Sequence, residues 1–453
     1  MANPPADRSL RRTSSPTRRA LLGAGFGAAT AGMLSGCGSP VARGLFGVAP
    51  PASKLTFWNL FTGGDGANMI AMEDVYSKRN PSTDLSATVL AWGTPYYTKL
   101  ALATAGGAPP DVAILHLSRL QTFVDAGLVS EFTSAEMEYA GMPTSKFTPA
   151  AIKKATFDDK VHAVPLDTHP FVMFYNETVC RKAGLLDSDG ALKPLGSPAD
   201  LAAALRAAKK VTGHYGGAVA VTNDPSTNLR FFATLYYQLG GTFLADHGTN
   251  ITIDDDLAVQ ALTFMRSLIK TGLMPGSVDP TGVTSLFSTG KAGFLFDGEW
   301  QIPTYEATKL KFSVAPVPHL YGPKPASYAD SHSFVIPRNS AMDAERRSHA
   351  LAFIKSILGS SQTWAKGGHI PAWLPVRDSA QFKAMKPQAG YVAAADAAHY
   401  DPPGWYSGAG SEFENVVGAA IAGSQSGSTS PAGAVRAMRA GLKPYASAKP
   451  PVG

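Results

Sequence analysis

Serine, lysine and histidine side chains can support catalysis, but their spacing in this sequence fits no established catalytic arrangement. Residues 267–270 and 288–291 both match the S-x-x-K pattern, and residues 270–272 match K-T-G. A serine acyl-enzyme of the penicillin-binding type needs these motifs far apart, whereas two of them overlap here. G-x-S-x-G, H-E-x-x-H and P-loop motifs do not occur, and the GAGFGA string at 23–28 follows no predicted strand. We therefore expect no enzyme and no cofactor.

The histidines and cysteines give no metal-binding motif. The ten histidines are scattered singly, and only two cysteines occur, Cys37 and Cys180. His116, His169 and His332 could converge in the folded chain, so a metal site stays open as an alternative, although we expect none. Cys180 is interpreted as a small buried hydrophobic side chain.

Cys37 follows a segment typical of an export signal. The adjacent Arg18 and Arg19 precede an uncharged run, residues 20–36, that ends in small residues. The run is too short and too rich in glycine for a membrane span. The arginine pair favours the twin-arginine export route, with the general secretory route as the alternative. Residues 34–37, LSGC, resemble a bacterial lipobox, so Cys37 is predicted to be acylated; an ordinary cleavage site with an incidental cysteine is the alternative.

The export signal also accounts for the basic charge of the chain. Five of the 40 basic residues and one of the 34 acidic residues lie within residues 1–36, which leaves 35 against 33 in the remainder. No basic cluster follows that would fit a phosphate backbone, so a nucleic-acid partner is not expected. Residues 37–53 are rich in Gly, Pro and Ser and are predicted to be a tether.

The elements that must position any site alternate between strands and helices from Lys54 onward. Short apolar strands such as residues 54–61 are followed by helical patterns, and residues 197–213 carry complete helix signals from Ser197 to Gly213. This alternation predicts an α/β fold with parallel sheets and flanking helices, with ligand contacts at the carboxyl ends of strands. About 400 residues suit two lobes better than one small core.

Several short stretches along the chain carry a family resemblance. The strongest is VHAVPLDTHPFVMFYNETVCRKAGL at 161–185; the others are LYYQLGGTFL (235–244), FSTGKAGFLFDGEW (287–300), SVAPVPHL (313–320), SFVIPRNS (333–340) and HIPAWLPVR (369–377). Together they resemble the extracellular solute-binding proteins, family 1, of ATP-driven importers, the carbohydrate-binding group that includes maltose-binding protein. The resemblance covers residues 55–446.

The resemblance implies a two-lobed periplasmic-binding-protein fold with a ligand cleft between the lobes. Residues 54–170 with 332–386 would form lobe one, and residues 171–331 with 387–453 would form lobe two. The implied function is that of a lipid-anchored receptor, a monomer on the outer face of the cell membrane or in the periplasm. It would bind a mono- or oligosaccharide and deliver it to a membrane permease of the ABC type, without catalysis.

The resemblance also suggests where a sugar would bind. A sugar presents apolar C–H faces and a ring of hydroxyls, so its site needs aromatic platforms with fixed donors and acceptors. The candidate aromatic residues are Trp58, Trp92, Trp300 and Trp405. Gly298 is expected to let the chain turn sharply so that the Trp300 indole faces the cleft. The candidate polar residues are Asn59, His116, Ser118, Arg119, Asp167, His169, Asn223, Asp224, Asn228, Asp297, Asp330 and His332.

Two other functions stay open at this point. A receptor of the same fold could take a non-sugar solute, either a glycerophosphodiester, which favours clustered Arg or Lys, or a polyamine, which favours carboxylates with aromatics. A lipid-anchored hydrolase is the remaining alternative.

Overall fold

The structure, a computed structural model, describes residues 54–450 of the 453-residue chain. The predictions on residues 1–53, including the export signal, the tether and Cys37, lie outside the described residues. The strands are β1 Lys54–Asn59, β2 Asp84–Val89, β3 Val112–His116, β4 Thr156–Phe157, β5 Lys160–Val161, β6 Val164–Pro165, β7 Asp167–Asn176, β8 Tyr215–Ala218, β9 Leu244–Ala245, β10 Asn250–Ile251, β11 Ala292–Gly298, β12 Phe312–Pro316, β13 Ser327–Asp330, β14 His332–Val335, β15 Ile370–Pro371 and β16 Ala398–His399.

The helices lie between the strands and dominate the last third of the chain. They are α1 Gly63–Arg79, α2 Thr94–Ala105, α3 Leu117–Asp125, α4 Ser134–Tyr139, α5 Pro149–Lys154, α6 Glu177–Lys182, α7 Pro198–Thr212, α8 Pro225–Gln238, α9 Asp255–Lys270, α10 Pro280–Ser288, α11 Ile302–Glu306, α12 Ala344–Gly359, α13 Ser361–Ala365, α14 Leu374–Arg377, α15 Ala380–Lys383, α16 Val392–Asp396, α17 Glu412–Ser426 and α18 Pro431–Ser447. Among residues 54–450, no helix combines the length and hydropathy that crossing a membrane requires.

Helix α7 forms where its capping residues predict. The Ser197 side chain accepts a hydrogen bond from the backbone N–H of Asp200, and the Asp200 carboxylate accepts one from the Ser197 hydroxyl. Gly213 closes the helix with φ of 71°, a left-handed conformation that glycine adopts without a steric penalty. Local sequence therefore determines both ends of this helix.

The first sheet has the strand order β2-β1-β3-β14-β6. Strands β2, β1 and β3 are parallel, whereas β14 and β6 are antiparallel to their neighbours. The sheet is therefore mixed, whereas the sequence pattern predicted parallel sheets. Strand β14 follows β13 of the second sheet after a single residue, so it enters the first sheet from the opposite direction.

The second sheet is built around β7, whose ten residues are all buried. Its first half pairs with β15 and β13, and its second half pairs with β11 and β12, all antiparallel. Strands β8 and β16 complete the sheet by parallel pairing with β11 and β13. The two sheets meet where β7 begins and where β13 passes into β14.

Two hydrophobic regions lie on either side of this meeting point. The first core includes Phe57, Ile114 and Phe353, and it defines the first lobe. The second lobe has two buried clusters, one with Phe231 and Phe296 and one with Val172 and Phe174. The exact bounds of the lobes stay a prediction.

Candidate ligand-binding cleft

A cavity of about 740 Å³ lies between the two lobes, at the point where β7 and β13–β14 cross. That size is within the usual range of small-molecule sites. Its lining is drawn from both lobes: Leu60, Phe61, Thr62, Gly63, Gly64, Asp65, Trp92, Gly93, Thr94, Pro95, His116, His169, Asn223, Asp224, Pro225, Ser226, Arg230, Trp300, Thr304, His332, His369, Gly410 and Asn415.

Two indoles contribute to the lining, one from each lobe. Trp92, from the loop before α2, is 47% exposed. Trp300 follows β11 and is half-buried; the Arg230 guanidinium carbon lies 4.9 Å from the centroid of its ring system. The His169 ring meets the Trp300 ring edge to face at 6.0 Å. The cleft thus has an apolar platform in each lobe.

Because Gly298 has no side chain, it leaves the space in which the Trp300 indole packs. The expectation of a sharp turn at Gly298 was wrong, because its φ of −79° and ψ of 148° are extended values that any residue adopts. A Cβ atom there would lie about 2.1 Å from atoms of the Trp300 ring. The indole therefore packs directly on the backbone of Gly298.

Strand register brings four histidines to the floor of the cavity. His332, the first residue of β14, pairs with His116, the last residue of β3. On β7, His169 pairs with Asp330 of β13. His369 comes just before β15, whose Ile370 pairs with Thr168 of β7. The ring centroids of His169 and His332 are 4.3 Å apart, and those of His116 and His332 are 4.6 Å apart.

Asp167 lies behind the histidines and holds two of them. Its Oδ1 accepts from the His332 backbone N–H at 2.8 Å and lies 3.2 Å from His169 Nδ1. Its Oδ2 lies 2.7 Å from His332 Nδ1 and accepts from Trp364 Nε1 at 2.6 Å. The carboxylate is fully buried, so these four contacts replace its hydration.

Burial and mutual repulsion keep part of this cluster uncharged. Burial lowers the pKa of His116 well below its ordinary value, and the neighbouring His332 and His169 lower it further. Burial and His332 likewise lower the pKa of His169 to about 3. Burial alone would raise the pKa of Asp167, but the His332 and His169 rings outweigh it and hold that pKa well below the usual range.

His369 is surrounded by carboxylates. Its Nε2 lies 3.0 Å from Asp65 Oδ1, and its Nδ1 lies 3.0 Å from Glu299 Oε1 and 3.5 Å from Asp167 Oδ2. Burial lowers the pKa of His369, but the three carboxylates outweigh it and raise the pKa well above its ordinary value. Burial raises the pKa of Glu299 to about 7.

Seven of the predicted site residues line the cavity. They are Trp92, His116, His169, Asn223, Asp224, Trp300 and His332. Asn223 has a positive φ of 60°, and Asp224 caps α8 by accepting from the Thr227 N–H at 2.9 Å. These two residues therefore shape the loop that opens α8 towards the cleft.

The other nine predicted residues lie outside the lining. They are Trp58, Asn59, Ser118, Arg119, Asp167, Asn228, Asp297, Asp330 and Trp405. Trp58 lies in a neighbouring depression with α2, and Trp405 packs against Tyr406 and Tyr445.

Three buried polar residues of this outer set have local roles. Asn59 accepts from the backbone N–H of Phe61, and Asn228 donates to the carbonyls of Val221 and Asp224. Asp297 accepts from the Gly298 N–H at 2.8 Å, and burial raises its pKa to about 7.

Ser118, Arg119 and Asp330 connect the lobes instead. The Asp330 carboxylate accepts from the backbone N–H and the hydroxyl of Ser118. Ser118 Oγ in turn accepts from the Ala409 N–H at 3.0 Å, and Arg119 Nε donates to the Ala409 carbonyl at 2.8 Å. Ala409 packs in the first core, while Tyr406 and Phe413 on either side of it pack in the second lobe. The chain segment around Ala409 thus extends from the second lobe to contact the first.

Sequence reasoning missed Asp65, Arg230 and His369 in the lining. Arg230 lies in the second turn of α8, with its side chain 14% exposed and 3.9 Å from Glu414. Burial lowers the pKa of Arg230, but Glu414 and Tyr328 outweigh it and raise the pKa, so the residue stays charged. The one available signal for Arg230 was that it is the single charged residue of α8. For His369 it was its place in the HIPAWLPVR stretch.

The comparisons with known proteins define the class. Residues 91–394, more than half of the chain, match the family model for bacterial extracellular solute-binding proteins. The chain therefore belongs to that family, which confirms the resemblance. It is 25% identical over 367 residues to the arabinooligosaccharide-binding protein of Bacillus subtilis (strain 168), covering 78% of this chain and 79% of that protein.

Solved structures confirm the two-lobed α/β fold. The GacH receptor of Streptomyces glaucescens GLA.O, solved unliganded and with acarbose, superimposes with a TM-score of 0.71 at 22% identity, over 86% of this chain and 99% of that chain. UgpB from Mycobacterium tuberculosis, solved with glycerophosphocholine, also gives a TM-score of 0.71, at 16% identity over 86% and 98%. Proteins of this fold therefore hold solutes of different chemistry.

Proposed function

We propose that this protein is the solute receptor of an ABC-type importer and binds an oligosaccharide in the cleft between its lobes. The observation that carries the proposal is the pair of indoles, Trp92 and Trp300, which lie in one cavity among fixed polar groups. The names of the arabinooligosaccharide-binding relative and of the GacH receptor with acarbose support the same class of ligand.

The polar residues of the cleft supply what sugar hydroxyls require. Asp65 and Asp224 offer acceptors, Arg230 offers donors, and Thr94 and Asn415 offer both. Indole faces pack against the C–H faces of a sugar ring and exclude water. A ligand with several rings would contact both lobes, and its differential contacts would favour the closed form.

The test is calorimetric titration of the purified protein with arabino-oligosaccharides, malto-oligosaccharides and glycerophosphocholine. Trp300→Ala should weaken oligosaccharide binding by roughly 30- to 1000-fold, since truncating a central aromatic anchor costs about 2–4 kcal/mol. Trp405→Ala is the comparison variant, because this indole lies outside the lining. Unchanged affinity in Trp300→Ala would contradict the proposal that the Trp300 indole packs against a sugar ring.

A glycerophosphodiester is the second candidate ligand. Two cationic groups, Arg230 and His369, line the cavity, and a phosphodiester needs such donors. The structural likeness to UgpB with glycerophosphocholine supports the same possibility. Glycerophosphocholine binding without oligosaccharide binding, lost in Arg230→Ala, would select this ligand class.

The proposal extends to the position of the receptor in the cell. The receptor acts as an exported monomer, anchored to the outer face of the membrane through acylated Cys37 and delivering its solute to a permease. The arginine pair and the lipobox-like LSGC segment at 34–37 support export and acylation. The predicted lobe bounds, 54–170 with 332–386 and 171–331 with 387–453, remain part of this proposal.

A further inference from the structure

Imidazole and carboxylate groups cluster at the floor of the cleft, and the sugar-binding role proposed above does not account for this cluster. Asp167, His169, His332 and His369 are all buried, and each offers one ligand atom such that these atoms lie within 4.8 Å of one another. The residues come from three separate segments of the chain: β15 pairs with β7, and His332 of β14 contacts Asp167 of β7. Such a convergence is a structural property of the fold and not of one local motif.

Several polar atoms at this floor have no hydrogen-bond partner among the described residues. They are both carboxylate oxygens of Glu299 and the Nδ1 of His369, in side chains that are fully buried. The Glu299 Oε1 and His369 Nδ1 atoms lie 3.0 Å apart without the alignment of a hydrogen bond. Buried polar atoms of this kind call for an explanation, and an ion is one of the few that apply.

The orientation of His369 is already that of a metal ligand. Its Nε2 is 3.0 Å from the Asp65 carboxylate, and its ring stacks on Trp364 with centroids 4.4 Å apart. A carboxylate that accepts from one ring nitrogen fixes the tautomer and leaves the other nitrogen free to ligate. The other nitrogen here is Nδ1, which faces Glu299 and Asp167, and zinc would bind there in place of a proton.

We propose that the cleft floor is a binding site for a zinc-class divalent ion, ligated by His169, His332, His369 and Asp167. Zn²⁺ is held by imidazole nitrogens and carboxylate oxygens in tetrahedral sites. Two nitrogens on one such ion are about 3.4 Å apart, because each bond is about 2.1 Å, so the present atoms need shifts of about 1 Å. The Asp167 and Glu299 carboxylates balance the double positive charge. The site goes beyond the proposed function, and its test uses zinc alone, without any solute.

The experiment uses the purified protein after chelator treatment and dialysis. Titration with ZnCl₂ by calorimetry, with elemental analysis of the bound metal, should give one ion per chain. Cobalt(II) in place of zinc should produce the visible absorption of a tetrahedral site. His369→Gln removes one ligand but keeps a donor towards Asp65, and it should weaken zinc binding by more than about 100-fold, the upper end of the loss seen for outer-sphere partners.

His214→Gln is the matched control, because His214 is exposed and lies outside the cluster. It should bind zinc as the wild type does, and circular dichroism should show that both variants are folded. A cluster held together only by an ion pair between His369 and Glu299 would bind no zinc. Absence of stoichiometric zinc, or equal zinc affinity in His369→Gln and the wild type, would overturn the proposal.

Discussion

At the scale of single residues, the contact between Gly298 and Trp300 gives a precise test of the cleft. Gly298→Ala places a methyl group where the indole lies, at about 2.1 Å from its atoms, so the ring must move. Oligosaccharide affinity measured by calorimetry should fall towards that of Trp300→Ala, while the unliganded protein stays folded. Gly359→Ala is the matched control, since a Cβ there would meet no atom within 4 Å among the described residues beyond its chain neighbours and its own helix backbone. Wild-type affinity in Gly298→Ala would show that the indole position does not matter.

Cys37 gives the second residue-scale prediction, and it concerns the proposed anchor. Cys37→Ala should abolish labelling by radioactive palmitate and release the protein from the membrane fraction, because the acylated thiol is the expected attachment point. The measurement is label incorporation and fractionation in cells. Cys180→Ala is the control, since Cys180 is a buried free thiol. Label retained in Cys37→Ala would exclude the lipobox interpretation.

At the scale of elements, helix α1 carries a carboxylate that opposes folding at neutral pH. Burial raises the pKa of Glu73 to about 7, with Asp74 contributing, and its Oε1 has no hydrogen-bond partner within residues 54–450. A raised carboxylate pKa means that stability is greatest when the group is protonated and falls as pH rises from about 4.5 through 7. Glu73→Gln should therefore raise the melting temperature at pH 8 and leave it nearly unchanged at pH 5. An equal effect at both pH values would remove ionisation as the cause.

The helices and strands also show how much of the structure could be predicted from the sequence. The ends of α7 follow from Ser197, Asp200 and Gly213, because capping depends on neighbours within a few residues. The antiparallel course of β14 could not be predicted in the same way, since it depends on β13 lying in another sheet. Long-range pairing also explains why sequence analysis did not predict His369 as a site residue. His369 reaches the cleft only through the pairing of β15 with β7, which are about 200 residues apart.

At the scale of the whole molecule, two lobes joined by β7 and by β13–β14 should close around the solute. Small-angle scattering should give a smaller radius of gyration with saturating oligosaccharide than without it, because contacts to both lobes favour the closed form. Trp300→Ala at the same ligand concentration is the control, and it should stay at the unliganded value. An identical radius in all samples would argue against closure.

The passage of the chain into the first lobe at Ala409 makes the rate of lobe opening measurable. The Ala409 N–H donates a hydrogen bond to Ser118 Oγ of the first lobe, in a segment where Gly408 and Gly410 pack directly against backbone. This proton can exchange with deuterium only when the lobes separate locally, so its exchange rate counts opening events. Native-state exchange at Ala409 should slow when solute is bound, whereas the Gly213 amide, held within one helix end, should keep its rate. Hydrogen exchange at this single backbone amide would thus report how often the lobes of the receptor open.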